Sequence, residues 1–204
     1  MQKCDFDILV AYAPIRCYDI NIPLHPSERY DEIIRCKNEK VKQEKYLVWK
    51  LLEQVVTKYI NLDFANLKFT KTDNGQWVCP DFYFSLSHTD GLVCVAVCKH
   101  SVGVDAEPLQ RVSERLATRI LTARELSDYR ELSPCDKNRF LLCAWVKKES
   151  IFKKSGGEKL LPGSIEISEH HTELKCVEVE GREYVISVSG NYGDKIEFKY
   201  VEEI

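Results

Sequence analysis

Two carboxylates, Asp105 and Glu107, lie two residues apart in the stretch Val102-Gly103-Val104-Asp105-Ala106-Glu107. Its β-branched residues and period-2 alternation predict a short strand. Side chains alternate across a strand, so Val102, Val104 and Ala106 face one way while Gly103, Asp105 and Glu107 face the other. Carboxylates held side by side repel, and each raises the other's proton affinity unless a positive charge sits between them. A divalent metal held by hard oxygen ligands is one answer. The plainer one is the polar outer face of an edge strand. On the functional reading, the glycine keeps the approach to the pair open.

A second stretch is Trp145-Val146-Lys147-Lys148-Glu149-Ser150-Ile151-Phe152-Lys153. Placed on a helix at about 100° per residue, Leu141, Ala144, Trp145, Ile151 and Phe152 form the apolar side. Lys148 falls near its middle and Glu149 on its flank, beside Trp145. A lysine on an apolar stripe must snorkel, pair or meet a ligand. Glu149 and Lys153 are four apart and can form an ordinary ion pair worth about 0.2–0.5 kcal/mol, which leaves Lys148 unexplained. The third stretch is Ser87-His88, in a short link between apolar runs at residues 82–86 and 92–98. Short links favour an antiparallel meander that continues into residues 102–107. That topology returns Asp105 and Glu107 to the level of Ser87 and His88; without it His88 is simply an exposed turn histidine.

The elements that must position these groups are legible in part. Residues 6–11 read as a strand, and a loop punctuated by Pro14, Pro23 and Pro26 follows. Ser27 is placed to cap a helix starting near Glu28. Leu47, Val48, Leu51, Leu52, Val55, Val56 and Tyr59 make a wide helical stripe. Its approach is basic (Arg35, Lys37, Lys40, Lys42 and Lys45), either a solvated face or a phosphate-binding edge. Residues 67–70 read as a strand and Asp73-Asn74-Gly75 as a turn. Thr122-Ala123-Arg124-Glu125 has the form of a capping box. Ser133-Pro134 opens a helix that runs to about residue 154, with Ser155-Gly156-Gly157 as its stop. Strands are expected at residues 164–168, 174–179, 184–188 and 196–201, with Glu180-Gly181 closing a hairpin. Strands and helices come in clusters without βαβ repetition, which predicts an α+β fold. No Walker loop, dinucleotide fingerprint or nucleophile elbow is found.

Composition narrows the class. The 204 residues are 44% hydrophobic and 30% charged, ordinary for a globular protein. No apolar run approaches the roughly 20 residues of a membrane span, and Met1 to Asp5 lack the apolar core of a signal peptide, so no membrane is expected and the cytoplasm is the expected compartment. Nine cysteines at irregular spacing include no Cys-x-x-Cys, which argues against zinc and for reduced thiols. The net charge of −3 gives no global field for nucleic acid, so an anionic partner must meet a local basic patch.

In this order, Ser85-Leu86-Ser87-His88, the Gly103–Glu107 segment and Trp145 to Lys153 resemble the three signatures of 4'-phosphopantetheinyl transferases: a Ser-His turn, a Gly-[Ile/Val]-Asp-x-Glu strand and a Trp-x-x-Lys-Glu-[Ala/Ser]-x-x-Lys helix. The resemblance covers about residues 28–168, and the length is similar to the surfactin-type (Sfp-like) subgroup. It implies a monomer of two similar α+β halves, residues 1–100 and 101–204, related by a pseudo-twofold axis, with coenzyme A and Mg²⁺ in the cleft between them. The implied reaction moves the phosphopantetheine arm of coenzyme A onto a serine of a carrier protein and releases adenosine 3',5'-bisphosphate. Asp105, Glu107 and Glu149 would ligate Mg²⁺; Lys148 and Lys153 would face the pyrophosphate; Ser87 and His88 would meet the nucleotide 3'-phosphate. The general base would be Glu149, directly or through a metal-bound water, or, second, Glu125, for which the capping box is a separate explanation. The family's Gly-Lys-Pro is replaced here by Gly75-Gln76-Trp77, so either Lys42 and Lys45 carry more of the phosphate contact or coenzyme A binds more weakly. Two other classes remain open: a non-catalytic module of the same fold that grips carrier proteins, and a different Mg²⁺-dependent enzyme of nucleotide pyrophosphates. Acidic carriers would need a basic face, for which Arg111, Arg115, Arg119 and Arg124 are candidates, unless they are a solvated helix face.

Overall fold

Two strands, β1 (Ile8–Pro14) and the later Leu92–Cys98, are apolar along their whole length, and a strand with no polar side must be covered on both faces. The computed structural model describes residues 6–110 and 112–204, and in it every residue of both strands is buried. Met1 to Asp5, read above for a signal peptide, and Arg111, read as a carrier contact, lie outside the described residues.

After β1 come α1 (Ser27–Ile34) and α2 (Glu39–Val55), then a short hairpin of β2 (Thr70–Lys71) and β3 (Trp77–Val78). Next are β4 (Tyr83–Thr89), β5 (Leu92–Cys98) and β6 (Gly103–Pro108). Three helices follow: α3 (Ala117–Ile120), α4 (Ala123–Glu131) and α5 (Pro134–Ser155). The chain closes with β7 (Thr172–Val179), β8 (Arg182–Ser189) and β9 (Ile196–Tyr200). One sheet has the order β4-β5-β1-β9 and another β6-β8-β7. The fold is α+β, as expected. Two series of elements share the order strand, helix, strand, strand: β1-α2-β4-β5 and β6-α5-β7-β8. Their sheet orders correspond, β4-β5-β1 against β7-β8-β6. The last strand, β9, crosses back to pair in parallel with β1, so the first sheet includes residues 196–200.

The packing makes four layers. Leu9, Ala11 and Ala13 of β1 and Val93, Val95 and Val97 of β5 meet Leu47, Val48, Leu51, Leu52 and Val55 of α2. Each such fully buried side chain contributes about 1.5–3 kcal/mol of transfer free energy. The opposite faces, Ile8 and Val10 with Cys94 and Ala96, pack on Val102, Val104, Ala106, Ile186 and Val188 of the second sheet. Leu142 and Val146 of α5 then cover Val185 on that sheet's far side. Helix α2 is started by Asn38, whose side chain accepts from Val41 N–H.

The structure departs from the sequence expectations at five places. At the start of α1, Pro26 takes the N-cap position and Ser27 lies inside the helix without a capping bond. Ser87 and His88 lie inside β4, paired with Cys94 and Val93, and the turn is Asp90-Gly91. The meander stops at β5, because β6 pairs with β8 instead. Residues 67–70 form almost no strand; only Thr70 enters a ladder, with Lys71. Residues 164–168 fall on two short 3₁₀ turns, Pro162–Ser164 and Ile167–Glu169, and the link between them. There the backbone groups are taken by side chains, Pro162 C=O by Lys148 and Ile167 N–H by Glu125, so no strand partner is needed.

Candidate active site

β4 and β6 are edge strands of different sheets, and both would expose unpaired backbone groups where they meet. Alternation along β4 turns Ser85, Ser87 and Thr89 toward β6. Ser85 Oγ accepts from Val104 N–H at 3.0 Å, and Ser87 Oγ accepts from Ala106 N–H at 3.2 Å. Ser87 Oγ also donates to Asp105 Oδ1 at 2.9 Å, and Thr89 Oγ1 donates to Glu107 Oε2 at 3.1 Å. The two strands advance in the same sense along this seam, so both carboxylates do come level with Ser87, although by side-chain bonds and not through a shared ladder. Ser87 is thus engaged with Asp105 and β6, in contrast to the expected nucleotide contact.

Asp105 is buried beneath α5. Lys153 Nζ donates to its Oδ1 at 2.7 Å, while Oδ2 is buried with no partner among the described residues. An unsatisfied buried oxygen costs about 1–3 kcal/mol, more when charged. Burial, and then the Asp105 charge, hold the Glu107 carboxyl above its ordinary range; Thr89, the Trp145 indole and Lys153 pull the other way. Glu149 is raised by burial and then by Asp105, with Glu107 adding to it and Lys153 opposing. The three carboxylates therefore feel one another, Asp105 and Glu107 from β6 and Glu149 from α5. Among the described residues, no three acidic, histidine or cysteine side chains are drawn together closely enough to enclose a metal ion.

Gly103 explains how α5 comes so close. A Cβ there would lie 1.9 Å from Ser150 C=O and 2.6 Å from Lys154 N. The glycine faces the backbone of α5 and admits the helix; it does not hold an approach open for a ligand, as the sequence suggested.

His88 points away from Asp105, because it alternates with Ser87. Its ring Nδ1 lies 3.1 Å from Glu44 Oε2 on α2. Burial pulls the imidazole below its ordinary value, Glu44 opposes this, and Lys153 and Lys45 add to it. The charges of Lys153 and Lys45 are therefore felt at His88. The Lys42 ammonium is bonded to Glu39 at 2.6 Å. The Gln76 side chain lies against Gly156, just beyond the end of α5, and Asn74 of the same hairpin donates to Gly156 C=O at 2.8 Å. Sequence reasoning passed over Glu44. Its signal was present: residue 44 shares the helical face of Leu47, Val48 and Leu51, and a carboxylate on an apolar face needs a partner.

Lys148 and Glu125 are brought to each other and not to the carboxylates. The Lys148 side chain is 0% exposed, and its Nζ donates to Glu125 Oε2 at 2.5 Å and to Pro162 C=O at 3.0 Å. Glu125 also closes the capping box of α4, accepting from Thr122 N–H, and takes Ile167 N–H. The lysine on the apolar stripe is thus explained by a buried pair. Beside Glu107 lies a cavity of about 500 Å³ lined by Leu116, Arg119, Ile120, Leu142 and Trp145. Arg119 lines it, and Arg115 and Arg124 are exposed nearby in sequence.

The sequence model of the 4'-phosphopantetheinyl transferase superfamily matches residues 101–197, a span holding β6, α5 and their acidic and basic groups. The chain is 28% identical over 148 residues to the 4'-phosphopantetheinyl transferase ffp of Bacillus subtilis, covering 64% of this chain and 66% of that protein. To Sfp of Bacillus subtilis strain 168 it is 26% identical over 115 residues, 55% of this chain and 51% of that one. The chain thus spans two thirds or less of these two relatives. It is 30% identical over 94 residues to the holo-[acyl-carrier-protein] synthase of Mycoplasma genitalium, covering 43% of this chain and 82% of that protein. The superfamily model spans the segment that carries Asp105, Glu107, Glu149 and Lys153, the Mycoplasma synthase is matched over most of its own length, and the chain belongs to the 4'-phosphopantetheinyl transferase superfamily.

Proposed function

We propose that this protein is a 4'-phosphopantetheinyl transferase that moves the phosphopantetheine arm of coenzyme A onto a serine of an apo carrier protein and releases adenosine 3',5'-bisphosphate. One observation carries the reading: Asp105 is buried at the meeting of β4, β6 and α5, with Lys153 on one oxygen and the other unpartnered. A lone buried oxygen beside two further carboxylates and a lysine suits a site completed by a cation and an anionic ligand.

Asp105, Glu107 and Glu149 are not drawn together closely enough to enclose an ion by themselves, but all three offer the hard carboxylate oxygens that suit a divalent cation, and they are the residues proposed to hold Mg²⁺. Bound there, Mg²⁺ would neutralise charge on the pyrophosphate of coenzyme A. Lys153 adds a positive charge where charge develops on the leaving adenosine bisphosphate. Lys45 and His88 face phosphate from the other wall. In the reaction the carrier serine oxygen bonds to the phosphorus bearing the pantetheine arm, and the phosphoanhydride bond to the adenosine bisphosphate breaks. The serine proton goes to Glu149, the proposed base, which stands on the flank of α5 among these groups. Glu125 is not proposed as base, since its oxygens are bonded to Lys148, Thr122 and Ile167. Lys148 and Ser87 are given structural roles, holding Glu125 and Asp105, and Lys42 a minor one.

The corresponding element orders support a pseudo-twofold relation of two halves, with the boundary proposed near residue 100 and β9 returning to the first sheet. No helix of the described residues is long and apolar enough to cross a membrane, and the cysteines described are free thiols; we propose a cytoplasmic monomer. The carrier is proposed to dock by an acidic surface on Arg115, Arg119 and Arg124. Incubation with coenzyme A, Mg²⁺ and a panel of apo acyl and peptidyl carriers, followed by carrier mass, tests the function. The expected result is a gain of one phosphopantetheine, abolished in Asp105→Ala. Binding of carriers without any mass gain would favour the non-catalytic module instead.

A further inference from the structure

Glu44 is a carboxylate on the buried face of α2, 6% exposed, among residues that build the first core. A carboxylate is held in such a place only with a partner, and its Oε2 has His88 Nδ1 at 3.1 Å. On β4, Phe84 and Leu86 share the side of His88 and pack into that core. His88 is the next residue on that side, where the core ends, and its side chain is 32% exposed. The pair thus has a buried anchor and an open end. The charges that act on the ring are those of Glu44 and Lys45 from α2 and of Lys153 from α5.

We propose that Glu44 is a positioning residue: it fixes the proton of His88 on Nδ1, turns Nε2 toward the cleft, and supports the imidazolium when a phosphate group binds there. The inference rests on the transferase reading above for the identity of the ligand. The chemistry is simple. An ionised carboxylate only accepts, so the neutral imidazole must place its hydrogen on Nδ1 and leave a lone pair at Nε2. A phosphate oxygen meeting that lone pair finds no hydrogen to accept. Binding therefore requires a second proton, taken from the solvent onto Nε2. In the free protein burial and the two lysines oppose that proton; an arriving phosphate reverses the balance, and Glu44 stabilises the resulting cation. Coenzyme A binding is thereby coupled to uptake of a proton.

The test has two arms on the full chain. In ligand-free protein, long-range ¹H–¹⁵N NMR reads the His88 tautomer; Nδ1–H is expected, and a predominant Nε2–H form overturns the proposal. In the second arm, calorimetry of coenzyme A binding at about pH 7.5 in buffers of different ionisation enthalpy counts protons. Wild type should take up close to one, whereas Glu44→Gln, which keeps shape and an acceptor but removes the charge, should take up much less. The KM for coenzyme A in that variant should rise on the order of tenfold, more than kcat falls. 3'-Dephospho-coenzyme A and inorganic pyrophosphate serve as probes; loss of uptake with the first locates His88 at the 3'-phosphate, and retained uptake with both locates it at the pyrophosphate, either supporting the coupling. His88→Gln should show no uptake. Equal uptake in wild type and Glu44→Gln overturns the role of Glu44. An Nδ1–H tautomer in a protein that binds no coenzyme A refutes the transferase reading, and with it the ligand half of this one.

Discussion

Gly103→Ala adds one methyl group at the closest point between β6 and α5. The new Cβ would lie 1.9 Å from Ser150 C=O, 2.6 Å from Lys154 N and 2.9 Å from Ser150 C. All three are backbone atoms of one helix, so no side chain can rotate away. Ordinary contact begins near 3.4 Å, so α5 must retreat from β6 by about 1.5 Å, or β6 must bend by as much. Overpacking of this kind costs about 1–3 kcal/mol, and the upper end applies because backbone must move. For a chain of this length that lowers Tm by about 6–12 °C. The same retreat carries Glu149 and Lys153 away from Asp105 and Glu107. A displacement of about 1 Å at reacting groups costs on the order of 100-fold in rate. The assay is carrier modification by mass spectrometry at a temperature well below the Tm of the variant, alongside thermal unfolding by circular dichroism. Gly181→Ala is the control. Its positive φ of 76° makes alanine strained, yet nothing lies within 4 Å, so about 1–2 kcal/mol of stability should go with little change in rate. A Gly103→Ala protein with wild-type Tm and kcat/KM would refute the argument, since the helix could then not depend on that contact.

Lys148→Met leaves the Glu125 carboxylate buried without its cation and should cost about 3–5 kcal/mol in urea unfolding; adding Glu125→Gln should restore much of it, and a neutral Lys148→Met alone would contradict the buried pair. Lys45→Ala should raise the KM for coenzyme A several-fold and flatten its salt dependence, with a smaller effect in Lys42→Ala because Lys42 is bonded to Glu39; an unchanged KM in Lys45→Ala removes that lysine from the site. The Asp90 carboxyl, exposed between Lys40 and Arg182, is pulled down to about 2 by hydrogen bonds to both. Its folded value lies below its unfolded one, so the stability it adds is present above about pH 4 and is lost as pH falls toward 2; Asp90→Asn should flatten that acid limb in unfolding curves, weakly because the group is solvated. Chelation by EDTA should stop transfer and added Mg²⁺ restore it, with the far-UV circular dichroism unchanged, because the hydrophobic layers hold without the ion; activity that persists in EDTA would exclude the cation from the reaction.

Features that depend on neighbours two to four residues apart are legible in the chain without its fold. Alternation along residues 102–107 placed Asp105 and Glu107 on one face, opposite Val104 and Ala106, and the packing agrees. Helical spacing identifies α5 nearly to its ends, the capping box at Thr122 and Glu125 is present, and the place of Lys148 on an apolar stripe demands a partner. Tertiary structure decided everything set by which surfaces exclude water together. It moved β6 into the second sheet, since pairing between distant strands follows burial on both faces and leaves no local mark. It turned three β4 hydroxyls into acceptors and donors for β6, so that residues resembling a turn became a seam. It gave Lys148 to Glu125 and Glu44 to His88, because a buried charge takes whatever opposite charge or hydrogen-bond donor the fold brings within reach, whether 23 or 44 residues away.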